Sequence, residues 1–211
     1  MTENLINEKN VENAILILSK NDLILKKMFN LVGKVKLPNE RLEFKNVCRI
    51  IVNQQLSGKA ANTIFNRIKE KIPNLSPKCF LSISTEEMRQ CGLSNAKSNY
   101  IKLLANKLNH NPLYFYQLQK LDTLSAKNEI WSNKGFGEWS SDIFLLFYLR
   151  KMDVFPKGDV TLNKVFSKIY CIDQKDEKYI YNYSNDWTPY KSVVSLAFWQ
   201  FFDNNLDWPE K

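Results

Sequence analysis

The sequence lacks the clusters of cysteine and histidine from which metal centres are built. Its four cysteines stand far apart, no two form a CxxC pair, and His110 is the single histidine. Structural zinc sites and iron–sulfur clusters need grouped sulfur or imidazole ligands, so we expect no metal and no other cofactor. We interpret the cysteines as reduced thiols of a cytosolic protein: Cys48, Cys79, Cys91 and Cys171.

Long apolar runs and glycine are also scarce. No stretch reaches the roughly 18 apolar residues of a membrane-spanning helix, and the polar start of the chain lacks the features of a secretory signal. The chain has six glycines and seven prolines, whereas 44% of its residues are hydrophobic. This composition excludes collagenous and disordered chains and is typical of a globular protein with a substantial core.

Positive charge is in excess. Thirty Lys and Arg residues stand against 22 Asp and Glu residues, which leaves a net charge of +8, and only five of the thirty are Arg. Lysine is a point charge suited to contact with phosphate groups. The charge favours an anionic partner such as nucleic acid or an anionic membrane, but a lysine-rich host proteome explains it equally well.

The spacing of apolar residues predicts helices throughout. After Ser57, a good N-cap residue, apolar residues recur at i, i+3, i+4 and i+7 until Pro73. No segment alternates with period two between hairpin turns, so we predict an all-α fold. Further helical segments are expected at residues 44–53, 84–91, 94–108, 124–131, 140–150, 161–169 and 191–202.

A glycine-containing stretch at residues 134–139 predicts a tight hairpin between two helices. Gly135 and Gly137 flank Phe136, follow Lys134, and lie shortly before Ser140. Glycine allows positive φ and close backbone approach. Such a hairpin also leaves backbone N–H groups of the next helix facing outward, where they can bind a DNA phosphate without reading sequence. An ordinary helix–helix turn is the alternative, and this stretch by itself does not separate the two.

Asp159 follows Val154 and Gly158 and precedes another helical pattern. Aspartate is a preferred N-cap, which is one explanation of its position. A carboxylate near a DNA-binding hairpin can also stabilise positive charge or position a water. The two roles are compatible because a capping geometry fixes the direction of the carboxylate.

The hairpin, Asp159 and three further stretches resemble, in their order along the chain, the motifs of the helix-hairpin-helix (HhH-GPD) DNA glycosylases. The resemblance covers residues 44–200, and its end is similar to the 3-methyladenine DNA glycosylase II branch. The further stretches are residues 50–57 with Ala60 and Ala61, residues 91–94 with Lys97 and Tyr100, and residues 187–192 with Trp199.

The resemblance implies two helical lobes with a cleft between them. Residues 40–150 would form the lobe that carries the helix-hairpin-helix. Residues 1–39 and 151–211 would form the second lobe, with Asp159 at the cleft.

The resemblance also implies roles for individual residues. Asp159 matches the catalytic aspartate, and the base pocket would include Gln54, Trp139, Trp199 and Tyr190. DNA contacts would come from Gln55, Lys134, Gly135, Phe136, Gly137 and Ser140, with Gln55 inserting where the flipped base was. Relatives with lyase activity carry a lysine where this chain has Trp139, which cannot form a Schiff base. The implied enzyme is therefore a monofunctional hydrolase that excises alkylated purines, 3-methyladenine above all, from duplex DNA.

Three alternatives remain open at this point: a non-catalytic helix-hairpin-helix DNA-binding protein, a helical protein-interaction module, and a glycosylase for another damaged base. We expect a monomer that binds double-stranded DNA containing alkylated bases, without a membrane or an obligate protein partner. Its location would be cytoplasmic, nucleoid-associated in a bacterium and nuclear in a eukaryote.

Overall fold

A computed structural model describes residues 5–173 and 176–209. Within these ranges the chain forms α-helices, one 3₁₀ helix at Ser184–Trp187, and one isolated β-bridge between Leu5 and Lys151. The all-α prediction is confirmed. The helices are α1 Glu8–Asn21, α2 Leu23–Val32, α3 Phe44–Asn53, α4 Gly58–Lys71, α5 Pro77–Ser82, α6 Thr85–Gln90, α7 Asn95–His110, α8 Tyr114–Lys120, α9 Thr123–Trp131, α10 Glu138–Phe147, α11 Val160–Tyr170, α12 Glu177–Tyr183 and α13 Lys191–Asp203.

Short polar side chains set where several helices begin. Ser57 caps α4 by accepting from Ala60 N at 3.3 Å, and Ser94 caps α7 in the same way. Ser84 and Glu87 form a reciprocal capping box at α6. Each cap satisfies N–H groups that have no acceptor inside their own helix. The cap predicted at Ser57 is confirmed.

The chain divides into two compact units, one formed by Met1–Asn39 with Leu145–Lys211 and the other by Glu40–Phe144. We call them unit 1 and unit 2. The sequence placed this boundary near residue 150, whereas the structure places it between Phe144 and Leu145, inside α10. No helix in the described part of either unit is long and apolar enough to cross a membrane.

Unit 2 is built around α7, which packs against α3, α5 and α6. Its interior consists of fully buried aliphatic and aromatic side chains, among them Ile51, Ile68, Phe80, Ile101 and Ile130. Phe80 meets Phe44 edge to face, with ring centroids 6.1 Å apart. This core supports both the end of α3 and the hairpin that follows α9.

Unit 1 is built around α13, which packs against α2 and α11. A cluster of aromatic rings fills its centre, with Trp187 almost fully buried among Phe155, Phe166, Tyr170, Tyr183 and Phe198. Large aromatic rings in such edge and tilted contacts bury much apolar surface. The cluster therefore gives α11 and α13 a rigid base.

Candidate functional site

Asp159 lies at the N-terminus of α11 in unit 1. Its Oδ1 accepts hydrogen bonds from the backbone N–H groups of Thr161 at 3.0 Å and Leu162 at 2.9 Å. The residue is 8% exposed. The predicted N-cap geometry is confirmed, and it places the carboxylate where the helix dipole favours a negative charge.

Trp199, on α13, is in direct contact with Asp159. Its indole Nε1–H donates to Asp159 Oδ1 at 3.2 Å. The half-buried ring also packs against Phe147, with centroids 5.4 Å apart and an interplanar angle of 35°. The structure thus brings together two residues that the sequence singled out separately. Phe147 was missed because an aromatic residue at the end of a helix is usually a core residue.

Two buried serines of α13 hold the segment that leads to Asp159. Ser192 Oγ accepts from Val154 N at 3.0 Å and donates to Lys151 O at 2.7 Å. Ser195 Oγ donates to Val154 O at 3.2 Å. Both serines are fully buried. The helix that carries Trp199 therefore also fixes the backbone a few residues before the carboxylate.

The start of α13 contains two other residues of the sequence motif. Tyr190 is half-buried, and its backbone N–H donates to Trp187 O at 2.7 Å. Lys191 donates to Asn185 Oδ1 at 3.0 Å and lies 3.8 Å from Asp153 Oδ2. Lys191 thus links the 3₁₀ helix to the segment before Asp159.

In unit 2, the hairpin between α9 and α10 depends on Gly135. Its φ is +96°, and a Cβ added there would lie 2.6 Å from both Cβ and Cγ of Tyr100. Gly135 thus needs glycine for both reasons that the sequence suggested. Gly137 does not: its φ is outside the left-handed region, and no atom lies within 4 Å of an added Cβ. The close approach is therefore a property of the first glycine.

Two of the predicted DNA-contacting residues have buried side chains. Phe136 is 3% exposed and meets Phe144 edge to face at 6.3 Å, and Ser140 is also 3% exposed. They can offer a DNA strand only backbone groups, because their side chains complete the core of unit 2. Lys134 and Gly137 are exposed, and Trp139 is half-buried.

Gln54 and Gln55 follow α3 and differ in their contacts. Gln54 Nε2 donates to Gly135 O at 2.6 Å and to Ser140 Oγ at 2.8 Å. Its amide therefore holds the hairpin, a role that the sequence did not indicate. Gln55 is exposed and has a left-handed backbone, with φ of 56°.

The excess positive charge is concentrated in unit 2. By sequence, Glu40–Phe144 contains 15 Lys and Arg against 9 Asp and Glu, whereas unit 1 contains 15 against 13. Six of the eight net positive charges thus belong to the unit that carries the hairpin and Gln55.

The family model of the HhH-GPD superfamily of base excision DNA repair proteins matches residues 48–189. The match covers more than half of the sequence, so the chain belongs to this superfamily. The resemblance noted from the sequence motifs is confirmed.

Named relatives agree with the family match. DNA-3-methyladenine glycosylase 1 of Schizosaccharomyces pombe is 26% identical over 184 residues, which are 83% of this chain and 80% of that protein. The structure of 3-methyladenine DNA glycosylase (Mag1) from the same yeast, in complex with abasic DNA, has a TM-score of 0.80 at 26% identity, covering 90% of this chain and 97% of that one. DNA-3-methyladenine glycosidase from Bacillus halodurans gives a TM-score of 0.76 at 26% identity, covering 93% and 92%.

Proposed function

We propose that the protein is a monofunctional DNA glycosylase of base excision repair that hydrolyses the N-glycosidic bond of alkylated purines. The leading substrate is 3-methyladenine, flipped out of duplex DNA. Family membership and the names of its relatives support this proposal. The observation that carries it is the Asp159 carboxylate, bound by two backbone N–H groups and by the indole of Trp199.

In the proposed reaction, Asp159 acts on the sugar and not on the base. Alkylation of a purine ring nitrogen makes the base cationic and a good leaving group, so little acid catalysis is needed. The C1′–N bond breaks with both electrons going to the base, and the carboxylate stabilises the oxocarbenium-like sugar. A water then adds at C1′, oriented by Asp159 as general base.

Selection of the damaged base is assigned to aromatic side chains. A cationic base stacked on the half-buried ring of Trp199 gains a cation–π attraction of roughly 0.5–2 kcal/mol over a neutral base. By resemblance, Trp139 and Tyr190 are further base contacts. The indole at Trp139 cannot form a Schiff base, so the product is an abasic site in an uncut strand.

Binding to duplex DNA is assigned to unit 2. Backbone N–H groups at the start of α10 and the exposed Lys134 would hold phosphates. Gln55 would fill the space left by the flipped base. Each phosphate contact releases a counterion, so affinity should fall steeply as salt rises. We propose that one monomer acts on one duplex, in the compartment that holds the chromosome.

The test is to incubate the protein with methylated duplex DNA and identify the released bases by chromatography. The wild type should release 3-methyladenine without nicking the strand. Asp159→Asn should release none while binding the duplex with unchanged affinity. Asp176→Asn is the matched control, because Asp176 caps α12 through Tyr179 N at 3.0 Å in the same unit.

The outcomes separate the alternatives. Failure of the wild type to release any base would refute the glycosylase proposal. If such a protein still bound duplex DNA, it would be a non-catalytic helix-hairpin-helix protein. Release of a different damaged base would keep the mechanism and change the substrate.

A further inference from the structure

Lys97, near the start of α7, caps the end of a different helix. Its Nζ donates to Val52 O at 2.9 Å and to Gln54 O at 2.6 Å. The last carbonyls of a helix have no intrahelical donor, and the negative end of the dipole favours a cation there. Partial burial lowers the pKa of Lys97 from its ordinary value. The cation thus lies at the C-terminal end of α3. We call residues 54–57, which follow this helix, the Gln55 loop.

The side chain of Gln54 connects this loop to the hairpin. The backbone carbonyl of Gln54 accepts from Lys97 Nζ, while the side-chain Nε2 donates to Gly135 O at 2.6 Å and to Ser140 Oγ at 2.8 Å. One residue is therefore fixed at its backbone by α7 and at its side chain by the hairpin. Neither contact is formed within α3, which ends at Asn53, one residue before Gln54.

The same helix that carries Lys97 also touches the hairpin. Tyr100, one turn after Lys97, lies so close to Gly135 that an added Cβ would be 2.6 Å from it. Two positions on one face of α7 therefore fix the two segments that are assigned to the DNA. Gln55 itself has a left-handed backbone, which a non-glycine residue keeps only when its neighbours enforce it.

We propose that Lys97 is a positioning residue for base flipping: it holds the Gln55 loop in register with the hairpin. This inference rests on the proposed function. Lys97 lies on unit 2 and acts through backbone carbonyls, whereas Asp159 belongs to unit 1. Loss of Lys97 should therefore impair extrusion of a paired base and spare cleavage of the bond once the base is out.

The experiment compares two duplexes that differ only in the opposing strand. Both contain one alkylated purine of the kind that the wild type releases from methylated DNA, opposite its usual pairing partner in the first and opposite an abasic-site analogue in the second, where there is no base pair to break. With Lys97→Met, the single-turnover release rate on the first duplex should fall about ten- to hundredfold, the effect of losing a hydrogen bond to a charged group. On the second duplex it should change less than about threefold, because an unpaired base is extruded at lower cost.

Two variants serve as controls. Lys102→Met removes a lysine from the same helix, where its Nζ donates at 3.5 Å to the exposed Thr85, and it should leave both rates unchanged. Lys97→Arg keeps a cation with donors for both carbonyls and should restore much of the rate on the paired substrate. If Lys97→Met melts below the assay temperature, Lys97→Gln, which keeps an amide donor, is tested on the same pair.

An equal loss on both duplexes, or no loss on either, would overturn the proposal. If the wild type releases no base at all, the proposed function fails instead. In that case amide hydrogen exchange tests the positioning role at the Leu56 N–H, which donates to Asn53 O at 3.3 Å. Lys97→Met should speed exchange there by at least about tenfold, and Lys102→Met should leave it unchanged. Unchanged exchange would then refute it.

Discussion

Substitution of Gly135 by alanine tests the hairpin most directly. An L-residue in the left-handed region costs about 1–2 kcal/mol, and overpacking against a well-packed neighbour costs about 1–3 kcal/mol more. Here the added Cβ would lie 2.6 Å from Tyr100 Cβ, whose position the backbone of α7 fixes, and 2.6 Å from Cγ, so a change of the Tyr100 rotamer cannot remove the clash. Gly135→Ala should therefore lower the free energy of unfolding by about 2–5 kcal/mol.

Gly137→Ala is the matched control, because its φ is ordinary and the space around its Cβ is open. Alanine before α10 forgoes a modest cap preference, so this change should cost less than about 1 kcal/mol. Urea unfolding followed by circular dichroism measures both, and fluorescence anisotropy with a duplex should show weaker binding for Gly135→Ala alone. If the two variants proved equally stable, the argument that Gly135 requires glycine because of its contact with Tyr100 would be refuted.

Three further predictions concern the site and the capping network. Trp199→Phe removes the 3.2 Å bond to Asp159 but keeps a ring, so base release should fall about ten- to hundredfold in single-turnover assays; an unchanged rate would remove Trp199 from the chemistry. Ser192→Ala deprives the buried Val154 N–H of its acceptor and should cost about 1–3 kcal/mol in urea unfolding, whereas a loss under 0.5 kcal/mol, roughly the size of a surface change, would contradict the anchoring role. The pKa of Glu87 is lowered from 4.5 to about 2 by Lys71 and by Ser84 N–H, so its stabilising effect is present above pH 4.5 and is lost as the pH falls towards 2. Glu87→Gln should flatten the acid limb of a stability–pH curve, and an unaltered limb would refute that assignment.

Local features of the fold were predictable because they depend on neighbours in the sequence. Ser57 and Asp159 cap helices through N–H groups two or three residues away, so each start site could be identified from residue type and apolar spacing. The helices α1 and α2 were missed although Asn7 and Asp22 cap them.

The division into units shows the limit of sequence motifs. The resemblance placed residues 145–150 in the lobe that carries the hairpin. The structure divides α10 between Phe144, which belongs to unit 2, and Leu145, which belongs to unit 1. A unit boundary inside a helix depends on contacts with distant parts of the chain, and no local pattern reveals those contacts.

By itself, the sequence determined the all-α fold, the order of the motifs, the position of Gly135 in a hairpin and the cap at Asp159. These follow from short-range sterics and hydrogen bonding. Only the tertiary structure decided that Gln54 reaches Gly135, 81 residues away, and that Trp199 donates to Asp159, 40 residues away. Such contacts depend on how packed helices place their side chains in space, which the spacing of residues along the chain does not specify.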